Sequence, residues 1–158
     1  MFWLFPALTP GRTYIIWDCT HRKLMRLIDK LLGSGWKCML VTRHSPRFIP
    51  VRHKDLKVVW MSSQKAENSI PPRREYVVRA QADFNGECPA GSVFVLDVFD
   101  CLATPGKDEF EPTLEMLRLM IDRTAVTDNV LLVPVSAGVF DSRQRAVIMR
   151  SGAEEMRL

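Results

Sequence analysis

Ser92-Val93-Phe94-Val95-Leu96-Asp97 is a β-branched and aromatic run that opens on a serine and closes on an acid. Its apolar residues are consecutive rather than alternate, so both faces of the strand must be covered, as in the middle of a parallel sheet. Working outward, four more runs of strand length carry the same signature: Thr13 to Trp17, Trp36 to Thr42, Leu56 to Met61 and Asn129 to Val135. Between them lie stretches of helical spacing. Leu24, Leu27, Ile28, Leu31 and Leu32 mark a helix from His21 to Leu32, stopped by Gly33-Ser34-Gly35. Tyr76, Val77, Ala80 and Phe84 stripe a second, opened by Pro71-Pro72 and closed at Asn85-Gly86. A short turn or helix is expected around Phe99 to Ala103, a long helix from about Asp108 to Thr124, and a last one from Asp141 through Met149. Arg43 to Asp55 reads as a basic, proline-punctuated stretch and Ser62 to Ile70 as a polar loop. The expected fold is α/β: a three-layer parallel sheet of about five strands with helices on both faces, RecA-like or Rossmann-like, joined by right-handed crossovers.

With 158 residues and 47% hydrophobic content, the chain has enough material for one core and too little for two. Residues 13–158 are assigned to this single domain and residues 1–12 to an apolar arm. Phe2, Trp3, Leu4 and Phe5 make the arm too apolar to leave in water, so it is expected to cover its own domain or a partner. The net charge of +4 is uneven: residues 21–57 hold ten Lys or Arg against two acids, a net of +8, which leaves −4 for the remainder. Such polarity suits an acidic protein, an anionic ligand or nucleic acid. Arg43, Arg47, Arg52 and Lys54 follow the second strand and form the expected anion or partner rim. Phe48 is the one aromatic residue between these clusters, which makes base stacking a poorer fit than a protein partner. Cys19, Cys38, Cys88 and Cys101 show no zinc-ligand spacing and read as packing residues of a reduced cytoplasm. No run is long enough for a membrane span.

A phosphate loop belongs after the first strand of a nucleotide-binding α/β domain, where glycines and a Lys let backbone N–H groups face the phosphates. Here that place reads Trp17-Asp18-Cys19-Thr20-His21-Arg22-Lys23, with no glycine and an acid in the way. Asp97 at a strand end is the kind of residue that holds Mg²⁺ beside a triphosphate. With the phosphate side missing, a cap on the following turn is the preferred reading. Asp18 ends the first strand and can share a carboxyl edge with Asp97, either as a metal or acid–base pair or as an independent cap. Thr20 or Asp18 can cap the first helix. His21, His44 and His53 have no common ligand spacing, and no G-x-S-x-G elbow is present. No cofactor, resident metal or catalytic set is expected.

Glu67-Asn68-Ser69-Ile70-Pro71-Pro72, Gly91 to Asp97 with its sequel Val98-Phe99-Asp100-Cys101-Leu102, and Leu131-Leu132-Val133-Pro134-Val135 together resemble the largely archaeal domain of unknown function 835, DUF835. The resemblance runs from about Thr13 to Met149. It implies a parallel α/β domain that works in the cytoplasm, in signal transduction, through contacts with other proteins. It brings no catalytic set, and Asn68 and Ser69 match its motif positions without a known role. The order of elements is also similar to a reduced KaiC-type, RecA-like core. The first expectation is a non-catalytic interaction or regulatory module, alone, as a homo-oligomer or in a larger assembly. The alternatives are a nucleotide-binding protein using Asp97 for Mg²⁺, and nucleic-acid binding through residues 21–57.

Overall fold

The computed structural model describes residues 7–88, 90–104, 106 and 108–158. The arm residues Phe2, Trp3, Leu4 and Phe5 lie outside them. From Leu8 onward the arm is tied to the domain: Leu8 packs on the core, Thr9 N–H donates to Tyr14 Oη at 2.9 Å, and Gly11 N–H donates to Asn129 O at 2.7 Å.

The five expected strands form at Thr13–Trp17 (β1), Lys37–Thr42 (β2), Leu56–Met61 (β3), Ala90–Asp97 (β5) and Asp128–Val135 (β6). Two short ones join them, Ser69–Ile70 (β4) and Glu154–Met156 (β7), so the sheet has seven strands rather than about five. Both additions sit at the sheet's edges, where two or three residues are too few to display a pattern and only one neighbour is needed. All pairings are parallel, in the order β4-β3-β2-β5-β6-β1-β7. The helices are His21–Gly33 (α1), Arg74–Glu87 (α2), Phe99–Ala103 (α3), Phe110–Ala125 (α4) and Ser142–Met149 (α5). Pro71 and Pro72 precede α2 instead of opening it, with Arg73 at the N-cap.

Alternation along the buried strands sorts the core into two layers. Ile15, Met39, Val41, Phe94, Leu96, Leu131 and Val133 face α2, α3, α4 and α5. Tyr14, Ile16, Cys38, Leu40, Val93, Val95, Val130 and Leu132 face α1 and the Ile49–Val51 loop. Because β5 contributes to both layers, its residues Val93 to Leu96 are all buried, which is why its sequence reads as continuously apolar.

This arrangement positions the carboxyl edge. After β1 and β2 the chain turns toward the α1 layer, and after β5 and β6 it turns toward the opposite layer. Since β2 adjoins β5 and β6 adjoins β1, the loops part company twice, and crevices outside the strand ends open at such switch points. The floor is held by aromatic packing: Phe140 meets Phe99 at 5.8 Å and Phe110 at 5.7 Å between ring centroids. Phe140 joins the turn after β6 to α3 and α4 and is buried. Phe140→Ala is expected to cost about 3–5 kcal/mol through lost burial and a cavity, measured by chemical denaturation; an unchanged midpoint would remove the trio as the floor of the edge.

Candidate functional site at the carboxyl edge

Asp18 follows β1 with φ +54, a left-handed conformation that aspartate tolerates better than most side chains. Its N–H donates to Val135 O at 2.8 Å, and its Oδ1 accepts the Ala137 N–H at 2.9 Å. The turn therefore clamps β1 to the chain leaving β6. Thr20, not Asp18, caps α1, its Oγ1 accepting the Lys23 N–H at 3.2 Å. Where a phosphate loop would follow the first strand, this chain places the Asp18 carboxylate, and its Asp18 and Lys23 N–H groups are already taken by Val135 O and Thr20 Oγ1.

Asp97 ends β5 directly opposite Thr42, the last residue of β2. Thr42 Oγ1 donates to Asp97 Oδ2 at 2.9 Å and accepts the His44 N–H at 3.2 Å. Asp97 does not cap α3: the N-cap is Val98, with no side-chain bond to the helix. The cap reading fails because the carboxyl turns sideways along the sheet, toward a hydroxyl that only strand pairing brings near. Burial pushes this carboxyl up from 3.8 to about 6 against the pull of the Thr42 hydrogen bond and of His21, with Asp100 adding to the rise.

Asp100, three residues on, had no marked role in the sequence. It stands in the first turn of α3, and both of its oxygens accept the Ser136 N–H, at 3.0 and 3.3 Å. Burial raises its pKa, its bonds to Ser136 oppose the rise, and Asp18 reinforces it. Asp18, Asp100 and Asp97 therefore repel one another in series across the ends of β1, β6 and β5. The one sequence signal was the Asp97-Val98-Phe99-Asp100 spacing, a helical step that returns the second acid to the same edge.

Two histidines border this acidic row. The His21 and His44 rings stack with tilted planes at 4.1 Å between centroids. Burial and His21 both lower the pKa of His44, and His21 Nδ1 is buried without a hydrogen-bond partner among the described residues. Residues 23 positions apart gave no hint of the pair; the chain turns after β1 and β2 bring them together. Near this edge, burial holds the Cys19 and Cys101 thiols in their protonated form. Burial and Asp97 push Cys19 up to about 11, and Cys101 is raised mainly by burial, with Arg43 opposing. All four cysteines are free, and Cys38 alone is fully buried.

The basic rim divides. Arg43 lines a cleft with Arg73, Arg74 and Cys101, whereas Arg52 lines a groove with Arg22, Arg26 and Phe48. Arg47 lies over the Phe48 ring at 5.4 Å, Arg52 donates to the Ile49 and Val51 carbonyls, and Lys54 is exposed in the turn before β3. Asn68 and Ser69 serve local architecture. Asn68 adopts φ +57 and accepts the Trp60 N–H, while Ser69 Oγ accepts the Ala66 N–H at 3.0 Å, which launches β4.

A family described as Protein of unknown function (DUF835) matches residues 19–151. The chain belongs to the DUF835 family. No curated protein matches it. In this DUF835 chain the matched stretch carries Thr42, Asp97, Asp100 and both stacked histidines, while β1 with Asp18 precedes it and β7 follows it. Among the described residues no helix is long and apolar enough to cross a membrane, and no group of three or more His, Cys, Asp or Glu is placed to hold a metal ion.

The raised Asp97 has a defined pH consequence. The folded chain holds this proton more tightly than the unfolded chain, so the stability associated with it is complete below 3.8 and is lost as pH rises through about 6. Asp97→Asn keeps the neutral form throughout. It is expected to stabilise the fold near about pH 8 by up to about 3 kcal/mol, with the gain fading toward about pH 4. Thermal unfolding at both pH values checks this; an equal gain at each, or a loss at the higher pH, would contradict the buried-carboxyl account.

Proposed function

We propose that this DUF835 domain is a non-catalytic protein-interaction or regulatory module, built on a RecA-like core whose phosphate loop is gone. The observation that carries the reading is the closed turn after β1, where Asp18 takes the Ala137 N–H and Thr20 takes the Lys23 N–H. A phosphate arriving there would meet a carboxylate instead of free donors. The strand order supports the RecA-like reading: β1 lies between β6 and β7, and the Asp97 strand stands two places from β1. RecA-like cores set a metal-holding acid beside their phosphate loop in the same way, which is an analogy of topology.

The surface best suited to a partner is the groove of about 550 Å³ between α1 and the loop after β2. Arg22, Arg26 and Arg52 surround Met25, Pro50 and Phe48, and Phe48 is 63% exposed. An apolar floor bordered by three guanidinium groups against one carboxylate, Asp29, is net positive and fits an acidic protein segment with an apolar anchor. The arm containing Phe2 to Phe5 is proposed to add to this contact, in a cytoplasmic signalling assembly or a homo-oligomer. Nucleic acid is the weaker fit, since Phe48 is the single exposed large aromatic on the basic surface among the described residues.

In a capture experiment from cell extract, the chain is expected to retain an acidic protein that is lost from Phe48→Ala combined with Arg26→Glu and from a chain lacking residues 1–8. Identical retention by all three, or a retained species that proves to be nucleic acid, would overturn the protein-partner reading.

A second reading is favoured by one observation: a carboxyl with its pKa near 6 at a switch point is a placement seen in functional acids. In it Asp97 holds Mg²⁺ for a nucleotide. The donor set beside it is one carboxylate with the Thr42 hydroxyl, which is too small for a resident cation and suits Mg²⁺ only if the metal arrives already carried by phosphates. Thermal unfolding with millimolar Mg²⁺-ATP is expected to show no shift. A rise in the midpoint that Asp97→Asn abolishes would put the nucleotide reading first.

A further inference from the structure

On the side of the carboxyl edge away from the partner groove, a cleft of about 530 Å³ opens between the end of β3, the entry of α2, α3 and Glu109 at the start of α4. Its size falls within the range of small-molecule pockets. Arg43, Arg73 and Arg74 converge on it from two separate parts of the chain.

These three guanidinium groups are held differently. Arg74 is fixed by Glu109 and lies 3.4 Å from Thr113 Oγ1, so its charge is already matched. Arg73 has Glu75 at 3.8 Å, with both side chains about two-thirds exposed, a pairing that contributes little in water. Arg43 has no carboxylate within ion-pair distance among the described residues; its carbonyl is anchored by the Trp60 indole N–H at 3.1 Å, which fixes the backbone from which the side chain enters. The four consecutive residues Pro72 to Glu75 also line the cleft. They lead into and open α2, a 14-residue helix whose first turn has no side-chain cap, so helix N–H groups add to the positive field there.

We propose that this cleft binds a small phosphate monoester. Arg43 and Arg73 grip the phosphate bidentately at the start of α2, and Arg74, clamped by Glu109, sets the shape of the wall. The volume exceeds what a bare phosphate fills, and Met61, Pro72 and Leu102 give an apolar surface for the organic part. Glu75 and Glu109 stand beside it as acceptors for hydroxyl groups, which favours a sugar-like moiety over a purely apolar one. The occupant is thus of the sugar-phosphate class, and no metal takes part. In a regulatory module such a ligand would be the signal that the domain reads, but the cleft chemistry stands whether or not the partner groove is used.

The test is a titration of the ¹⁵N-labelled full chain with ribose 5-phosphate, without Mg²⁺, followed by amide shifts. Saturable shifts at Arg74, Glu75 and Leu102 are expected, weakened at least about tenfold by Arg43→Ala with Arg73→Ala, which is the loss of about 1.4 kcal/mol of binding. Both side chains are exposed enough for the double variant to fold, and Lys37→Ala, at the far end of β2, should bind as the native chain does. Asp97→Asn should also bind normally, which separates this site from the nucleotide reading. Absence of saturable shifts at millimolar ligand, or binding that survives the double variant, would overturn the proposal. Citrate binding as tightly as ribose 5-phosphate would overturn the phosphate assignment, since it would make the cleft a general carboxylate site.

Discussion

A carboxyl group at the end of a central sheet strand must either find a donor or keep its proton, and much of the carboxyl edge is arranged around that constraint. Asp97 finds one donor, the Thr42 hydroxyl, because parallel pairing of β2 and β5 sets the two strand ends side by side. One neutral hydrogen bond does not offset the loss of water around a buried charge, so the pKa stays near 6. Neighbouring acids are treated differently. Asp18 and Asp100 are each given a backbone N–H, from Ala137 and Ser136, and so tie the chain leaving β6 to β1 and to α3. Two of the three acids thus hold the edge together, and the third remains strained within it.

The same arrangement separates the crevices of the sheet from the side chains that line them. The switch points come from strand order and from which layer each loop joins, and they survive any choice of side chains at the strand ends. After β1 the Asp18 N–H is taken by Val135 O, the Lys23 N–H by Thr20 Oγ1, and the Asp18 carboxylate, held by the Ala137 N–H, stands where a phosphate loop would have a glycine. The arginines stand elsewhere: beyond β2 in the cleft with Cys101, and along α1 in the groove with Phe48. Positive charge stands at the flanks of the edge and not at its centre, which is why the two proposed contacts lie on either side of the acidic row.

Much of the architecture was legible because burial on both faces forces consecutive apolar residues, and β1, β2, β3, β5 and β6 are long enough to display them. β4 and β7 were not legible. Ser69-Ile70 and Glu154-Glu155-Met156 form strands only because β3 and β1 offer an unpaired edge. The start of α2 lies three residues past Pro71, since Pro71 and Pro72 set the approach to the helix while the cap falls to Arg73. At the site, Asp97 and Asp18 were visible as acids closing strands. Their partners were not, because Thr42 and Ala137 lie 55 and 119 positions away in the chain.

By itself the sequence determined which segments are strands and helices, that the sheet is parallel and covered on both faces, that the chain belongs among DUF835 domains, and that no glycine-rich loop follows β1. Those properties depend on residue type and short-range spacing. Only the tertiary structure decided that Asp97 bonds sideways to Thr42 rather than capping α3, that His21 stacks on His44, that Asp100 joins the acidic row, and that the basic rim divides between a cleft and a groove. Each of these depends on which strand ends lie side by side and which layer each loop enters, and local sequence carries no record of either.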